Sequence, residues 1–401
     1  MNALRTIRFI CTLSVFFLGI SNAQWVHTSL DTSAYVYWIV KSGQNLIAGT
    51  YSNGLFASTN NGTDWITANN GFTGTDTRAL IVSGSNLLAG SIDSGLFLST
   101  NNGLSWTTSN AGLTNMSIWS FALDDTNLYV GTGNGVFLST NDGTNWTAVG
   151  LTGEGSVQSL AIYGTNLFAG TSHGIYLSTN NGTSWSNKRS GDIRSLAVIG
   201  TTIFAGLDAN GGVLRSTDNG TTWEPKNSGL PSRTILALYV SGPNLFAGGQ
   251  QDGVFYSTNL GSNWITADAG MESTEVTSFL EDGYTLFAGT ERGVWQRPLA
   301  EMVTEIHPSS NEQPNEYSLS QNYPNPFNPS TSISYQLPRQ NHVTLIIYDL
   351  LGREVTTLVQ DKKQQGEYTV TWNAENVPSG VYFYKLSAGD FIQTKKMILM
   401  E

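Results

Sequence analysis

The sequence predicts an all-β protein, with a seven-bladed β-propeller followed by a small Ig-like β-sandwich. Three observations predict the propeller. An octapeptide of the form STNNGTDW occurs six times, its tryptophans are 38–41 residues apart, and a second motif of the form NLFAGT occurs seven times. Each period contains four short β-rich segments that are separated by Gly, Asn or Ser. Four strands in a period of this length are typical of a propeller blade.

The tryptophan of each octapeptide is predicted to start the outer strand of a blade, where its ring can pack between neighbouring sheets. These residues are Trp65, Trp106, Trp146, Trp185, Trp223 and Trp264. The seventh unit has no octapeptide, but Trp25 lies in an N-terminal segment that resembles the segment around Trp65. We therefore predict that the N-terminal strand completes the seventh blade and closes the ring, which removes exposed sheet edges. The predicted propeller covers residues 24–299.

The middle of the octapeptide is a turn sequence, in which Gly adopts positive φ and the third residue, Asn or Asp, can bind nearby backbone amides. The octapeptide resembles the Asp-box, or BNR repeat, of sialidases, sortilin-type receptors, some endoglucanases and photosystem assembly factors. This resemblance implies a structural role on hairpins away from the functional face. The family acid is Asn in five of the six copies, which argues against calcium because calcium prefers carboxylates. Asn61, Asn181 and Asn219 also start glycosylation sequons, but turn and strand preferences explain those tripeptides.

The first 23 residues form a predicted secretory signal peptide, with Arg5 and Arg8 before a short apolar run and small residues before Gln24. A single membrane anchor is the alternative, but the run is shorter than the ~20 residues that a span needs. We predict no membrane span in the mature chain. The only cysteine, Cys11, lies within this segment, so the mature chain has no disulfide. The net charge of −11 argues against nucleic acid as a partner, because that affinity requires neutralised phosphates.

Residues 300–317 are polar and are predicted to be a linker, and residues 318–401 show alternating apolar strands typical of a small sandwich. This last region closely resembles the type A C-terminal sorting domain of the type IX secretion system. The residues that carry the resemblance are Asn322, Tyr323, Pro324, Asn325, Pro326, Phe327, Asn328 and Pro329, the segment 348–352, the segment 378–382 with Gly380 and Tyr382, and Lys395, Lys396, Met397 and Ile398.

The resemblance implies a bacterium of the Bacteroidetes type or a relative, and the type IX secretion machinery as a partner. It also implies passage through the periplasm and across the outer membrane, usually with removal of this domain. The expected location is extracellular or on the outer-membrane surface. Surface attachment and release both remain open. We expect a monomer.

Ligands of propellers usually bind at one mouth of the central channel, where the inner strands begin. Aligning the seven inner strands places equivalent residues there, which we call the mouth ring: Tyr37, Arg78, Trp119, Gln158, Arg194, Leu236 and Thr277. Two residues earlier lie Tyr35, Asp76, Ser117, Ser156, Asp192, Thr234 and Glu275. Aromatic, Arg and carboxylate side chains suit a sugar or a peptide. We therefore predict ligand binding by Tyr37, Arg78, Trp119, Gln158, Arg194 and Glu275, although loop variation without selection would give the same diversity.

A glycoside hydrolase, sialidase- or endoglucanase-like, is the alternative function. It requires two carboxylates on either side of the scissile bond, and Asp76 and Asp192 are weak candidates because they lie in blades two and five. The four histidines are scattered, so we predict no nucleophilic triad, no metal site and no cofactor. The preferred interpretation is a secreted or cell-surface propeller that binds a glycan or a protein.

Overall fold

The computed structural model describes residues 24–124, 127–231, 234–299, 302, 317–322, 325–374 and 377–400. The predicted signal peptide, most of the predicted linker, and Tyr323 and Pro324 of the sorting motif lie outside the described residues.

Seven four-stranded antiparallel sheets follow one another along the chain, which confirms the predicted propeller. The inner strands are β2 (Val36–Ser42), β6 (Thr77–Ser83), β10 (Ile118–Leu123), β14 (Val157–Tyr163), β18 (Ile193–Ile199), β22 (Ile235–Ser241) and β26 (Val276–Asp282). The second strands are β3 (Asn45–Thr50), β7 (Asn86–Ser91), β11 (Leu128–Thr132), β15 (Asn166–Thr171), β19 (Thr202–Leu207), β23 (Asn244–Gly249) and β27 (Thr285–Thr290).

The third and outer strands complete each sheet. The third strands are β4 (Leu55–Ser58), β8 (Gly95–Ser99), β12 (Gly135–Ser139), β16 (Gly174–Ser178), β20 (Gly212–Ser216), β24 (Val254–Ser257) and β28 (Gly293–Pro298). The outer strands are β5 (Ile66–Thr67), β9 (Thr107–Thr108), β13 (Thr147–Ala148), β17 (Ser186–Ser190), β21 (Glu224–Pro225), β25 (Ile265–Thr266) and, in blade seven, β1 (Val26–His27). Most outer strands are only two residues long.

The N-terminal strand closes the ring as predicted. Val26 pairs with Gln296 and His27 with Trp295, so β1 is the outer strand of blade seven. Trp25 is 2% exposed, and its Nε1 donates to the carbonyl of Ala267 in blade six at 2.6 Å. Trp106 and Trp146 likewise donate to backbone carbonyls of the preceding blade. Trp25 therefore takes the structural role of an octapeptide tryptophan.

The glycine of the NLFAGT motif lets adjacent sheets pack closely. A Cβ on Gly49 would lie 2.7 Å from Cγ2 of Thr77 in the next inner strand, and one on Gly289 would lie 3.0 Å from Cγ1 of Val36. Contacts this close leave no room for a side chain. The Gly289 contact joins blade seven to blade one, so the same close packing continues across the closure of the ring.

The octapeptide is a hairpin turn that is held by its own side chains. The hydroxyl of Ser58 accepts from the amide of Gly62 at 2.9 Å, and Oδ1 of Asn60 accepts from the amide of Asp64 at 2.8 Å. The other five copies repeat both bonds. The third residue therefore reaches an amide four residues further on, beyond the span of a simple Asx-turn. Since Asn and Asp both supply this acceptor, the exchange of the family acid leaves the turn intact.

Two consecutive residues of each turn have positive φ, where the sequence suggested only the glycine. In the first copy they are Asn61 (54°) and Gly62 (82°), and the amide of Thr63 donates to the carbonyl of Asn60. This is the pattern of a type I′ turn, which favours Asn-Gly. In the last copy the first position is Leu260, with φ of 55°, and a left-handed conformation costs a branched residue about 1–2 kcal/mol.

Leu260→Asn is therefore expected to stabilise the protein by about 1 kcal/mol and to raise its melting temperature by ~2–4 °C, as measured by scanning calorimetry. Leu104→Asn is the matched control, because Leu104 is an exposed octapeptide leucine outside the positive-φ set. Equal shifts in the two variants would contradict the assignment of strain to Leu260.

Asp218, the one acidic third residue, should make its turn sensitive to low pH. Hydrogen bonds from the hydroxyl and then the amide of Thr222 lower the pKa of Asp218 from 3.8 to about 2. The stabilisation is present above pH 3.8 and is lost as the pH falls towards 2. We expect the melting temperature of the wild type to exceed that of Asp218→Asn by more at pH 6 than at pH 2. A difference that does not change with pH would show that the carboxylate has no such role.

The C-terminal region is a sandwich of two antiparallel sheets, as predicted. One sheet has the order β29-β30-β33 and the other β32-β31-β34-β35. The strands are β29 (Ser318–Leu319), β30 (Ser330–Leu337), β31 (Asn341–Tyr348), β32 (Glu354–Lys363), β33 (Gly366–Asn373), β34 (Gly380–Ala388) and β35 (Phe391–Leu399). Both sheets contribute to one core, which includes Ile333, Leu345, Tyr384 and Met397.

The residues of the sorting motif lie beside strand β35. Phe327 is buried, and its amide donates to the carbonyl of Ile398. Asn325 accepts from the amide of Ile398 at 2.9 Å. Pro329 and Asn328 line a cavity with Ser379, the neighbour of Gly380. Tyr382 is buried, Lys395 is half-buried and Lys396 is exposed. Among the described residues, the motif segment 325–329 thus lies beside the last strand of the domain, which pairs with the strand of Gly380 and Tyr382.

Candidate ligand-binding mouth

The mouth ring lies at the start of the inner strands, and the octapeptides lie at the other end. Carbonyls of Tyr35, Asp76 and Ser117 accept from amides that directly follow the second strands, which fixes these residues at the mouth end. A Cβ on Gly43, in the turn after β2, would lie 3.0 Å from Asn102 of the next octapeptide. Because β2 begins at the mouth and ends at that turn, the mouth and the octapeptides are on opposite faces.

Blades seven, one, two and three share one group of mouth side chains, which we call the first mouth cluster: Glu275, Tyr35, Tyr37, Asp76, Arg78, Ser117 and Trp119. The hydroxyl of Tyr35 donates to Glu275 across the closure between blades seven and one. The rings of Tyr35 and Tyr37 are 4.6 Å apart. Burial, and then the hydrogen bond to Glu275, raise the pKa of the Tyr35 hydroxyl far above its ordinary value, so this hydroxyl remains a donor at neutral pH.

Arg78 lies between two aromatic rings of the first mouth cluster. Its guanidinium carbon is 3.6 Å from the centre of the Tyr37 ring and 5.3 Å from that of Trp119. Asp76 binds it through two bonds of 2.8 and 3.1 Å, and Trp119 donates to Ser117 at 3.1 Å. Cation–π contacts and a bidentate carboxylate both favour Arg over Lys. These side chains therefore hold one another in place through contacts within the protein.

Blades four and five form a second mouth cluster of Gln158, Asp192, Arg194 and Asp208. Gln158 donates to Asp192 at 2.7 Å and accepts from Arg194 at 3.0 Å. Arg194 also donates to Asp208, which lies in the loop after β19. Burial acts to raise the pKa of Asp208, but hydrogen bonds from Arg194 and the Ala209 amide outweigh burial and leave this pKa below its ordinary value.

These two clusters bring together all six residues that the sequence predicted for ligand binding, but they do so as two groups rather than one ring. Asp76 and Asp192 lie in different clusters, so no contact joins the two weak catalytic candidates. Asp208, from the loop between the second and third strands of blade five, contacts the same guanidinium nitrogen as Asp192, and Asp192 is 3.9 Å from that nitrogen.

Asp192 and Asp208 are therefore close enough for the carboxylate spacing of glycosidases, about 5–10 Å. However, Arg194 lies between them, and its hydrogen bonds help to hold the pKa of Asp208 below the ordinary value. A glycosidase needs one carboxyl group that stays protonated, and Asp208 does not suit that role because its pKa is lowered. Among the described residues, no group of three or more His, Cys, Asp or Glu could hold a metal ion.

Below the first mouth cluster, the channel contains an apolar cavity of about 350 Å³. Its walls come from the inner strands of blades seven, one, two and three and include Trp38, Val40, Ile81, Val82, Phe121 and Leu280. Trp38 is 39% exposed. At the equivalent position the other blades carry only Ala or Ser (Ala79, Ser120, Ser159, Ser195, Ala237 and Ser278). Blade one is therefore the only blade with a large side chain at this position.

Comparisons with known proteins identify the C-terminal region and the fold of the rest. Residues 321–400 match the family described as "Secretion system C-terminal sorting domain", which confirms the resemblance to the sorting domain of the type IX secretion system. No curated protein is significantly similar to the chain. Within the described residues, no helix is long and apolar enough to cross a membrane.

Solved structures of β-propellers are similar to this chain in fold. The extracellular domain of a hybrid two component system from B. thetaiotaomicron is 13% identical, with a TM-score of 0.60 over 94% of this chain and 57% of that one. YCF48 from Cyanidioschyzon merolae is 15% identical, with a TM-score of 0.55 over 70% of this chain and 100% of that one. The GH74 enzyme of Niastella koreensis is 20% identical, with a TM-score of 0.50 over 69% of this chain and 44% of that one. The chain is therefore a seven-bladed β-propeller protein that carries a type IX secretion system C-terminal sorting domain at residues 321–400.

Proposed function

We propose that the chain is a binding protein that is exported by the type IX secretion system and that holds a glycan or protein ligand at the propeller mouth. In this proposal residues 1–23 direct the chain to the periplasm, and residues 318–401 engage the secretion machinery. The mature protein then acts at the outer-membrane surface or outside the cell.

The observation that carries the proposal is the first mouth cluster. Scaffold positions such as the octapeptide and the NLFAGT glycine repeat around the ring, whereas the mouth carries a distinct side chain in nearly every blade. In the first cluster these side chains fix one another through Tyr35–Glu275, Asp76–Arg78 and the Arg78 contacts with two rings. A site that is ordered in advance loses less entropy when a ligand binds.

A peptide-bound protein and an enzyme both occur among the structural neighbours. YCF48 is seen bound to a D1 peptide, and the N. koreensis neighbour is an enzyme. Binding without turnover is the function that this mouth favours, because arginines hold the carboxylates of Asp76 and Asp208.

A screen tests the proposal. The purified full chain is applied to immobilised glycans, peptidoglycan fragments and peptides, beside fluorogenic glycosidase substrates. We expect binding without turnover, reduced at least tenfold in Trp119→Ala and Arg78→Lys and unchanged in Leu104→Ala, an exposed residue of the octapeptide face. Melting temperatures check that each variant folds. Binding that is unchanged in both Trp119→Ala and Arg78→Lys would overturn the proposal. Turnover that is abolished by Asp76→Asn or Asp192→Asn would also overturn it.

A further inference from the structure

The apolar cavity continues directly from the first mouth cluster. Trp38 directly follows Tyr37 in the chain, and Val40 lies three residues beyond Tyr37 along β2. Since a strand rises about 3.3 Å per residue, the cavity wall at Val40 is about 10 Å below the level of Tyr37. The same four blades build the cluster and the cavity, so a ligand held at the cluster can extend a side chain into the cavity.

The cavity favours an apolar group and disfavours a sugar. Five of its wall residues are apolar side chains that are only partly buried: Val40, Ile81, Val82, Phe121 and Leu280. Lys41, the charged residue of the wall, binds both oxygens of Asp282, at 2.6 and 2.7 Å. A sugar hydroxyl that entered would lose its water partners at a cost of ~1–3 kcal/mol, whereas an aliphatic or aromatic group would gain by leaving water. A volume of about 350 Å³ lies at the small end of ligand sites, ~300–1,000 Å³.

The charge of the mouth favours a cationic ligand. The mouth positions and the loops between second and third strands carry seven carboxylates: Asp76, Asp93, Asp192, Asp208, Asp252, Glu275 and Glu291. The same positions carry three arginines: Arg78, Arg194 and Arg292. Asp93, Glu275 and Glu291 are bound by hydroxyls or amides rather than by arginines. The surplus of negative charge attracts cations and repels the carboxylate of a fatty acid.

We propose that the propeller mouth recognises a peptide segment in which an aromatic or long aliphatic side chain is flanked by basic residues. The apolar side chain enters the cavity between Trp38 and Phe121, and the basic residues meet the carboxylates of the mouth. This inference rests on the proposed function, because it assigns a ligand class to the same mouth.

The test uses the purified full chain and a synthetic heptapeptide amide of glycine, in which a central phenylalanine is flanked on both sides by lysine. Isothermal titration calorimetry gives its affinity and the heat-capacity change. Two matched peptides replace the phenylalanine by serine or the lysines by glutamate. We expect each replacement to weaken binding at least tenfold, and only the phenylalanine peptide to show a clearly negative heat-capacity change, the sign of apolar burial.

Two matched variants test the cavity itself. Val82 and Val198 occupy the same register position in blades two and five, both half-buried, but of the two only Val82 lines the cavity. Val82→Phe fills the cavity and is expected to weaken the binding of the phenylalanine peptide at least tenfold. Val198→Phe is expected to leave the affinity for this peptide unchanged. Melting temperatures of both variants confirm folding.

The outcomes separate this inference from the proposed function. Peptide binding that Trp119→Ala removes but Val82→Phe does not would overturn the inference and leave the function. Ring-dependent binding of glycans with no binding of the phenylalanine peptide would do the same. The inference would also be overturned if dodecanoate bound more tightly than the phenylalanine peptide and Val82→Phe weakened that binding. The ligand class would then be a fatty acid. If neither Trp119→Ala nor Arg78→Lys changes the binding of any ligand, both proposals fail.

Discussion

Trp25→Ala is expected to lower the melting temperature of the protein by roughly 10 °C, and deletion of residues 24–30 by more. The Trp25 side chain is 2% exposed and lies in the core between blades six and seven. Removal of a buried tryptophan costs ~3–5 kcal/mol, and each kcal/mol lowers the melting temperature of a domain of this size by ~2–4 °C. The deletion also removes buried Leu30 and the strand that pairs with β28, so it opens the ring.

Val26→Ala is the matched control for the closure. Val26 lies in the same strand but is 57% exposed, so its truncation should change the free energy of unfolding by less than about 0.5 kcal/mol. Scanning calorimetry on the wild type and three variants gives the comparison. A deletion variant that melts with the wild type would contradict closure by the N-terminal strand.

Deletion of residues 321–400 is expected to abolish export, so that the propeller accumulates in the periplasm instead of at the surface or in the medium. The physical reason is that these residues form the sorting domain, whose motif residues lie around strand β35. Immunoblots of periplasm, membrane and medium from a type IX-competent host measure the distribution.

Leu104→Ala is the control for the export experiment. It changes an exposed residue of the propeller and should be exported like the wild type. Export of the deletion variant at the wild-type level would show that the sorting domain is not required, and loss of export in the control would point to a general defect of handling rather than of sorting.

The fold could be predicted from the sequence because its units repeat. A motif that occurs six or seven times can be recognised from the sequence alone. The copy missing from the seventh unit pointed to the segment around Trp25 as the closing strand. The local turn was less accessible. Positive φ at Asn61 is suggested by Asn-Gly, but the same conformation at Leu260 contradicts its residue type, since the fold of the repeat overrides local preference.

The mouth could be predicted only in part, because an alignment of blades gives position along each strand but not contact between strands. The bond between Tyr35 and Glu275 joins residues 240 apart in the chain, and the insertion of Arg78 between Tyr37 and Trp119 depends on the rotamers of three blades. The cavity did have a signal in the sequence. Trp38 is the one large residue at a position where the other six blades have Ala or Ser.

The central claim is that the protein binds its ligand at the mouth of blades seven, one, two and three, while the octapeptides only build the ring. Hydrogen exchange of the full chain, with and without the ligand found by the screen, tests it most directly. The account predicts slower exchange confined to the segments around Tyr37, Arg78, Trp119 and Glu275, with no change in the six octapeptides. Protection of the octapeptide face, with no change at the mouth, would contradict it.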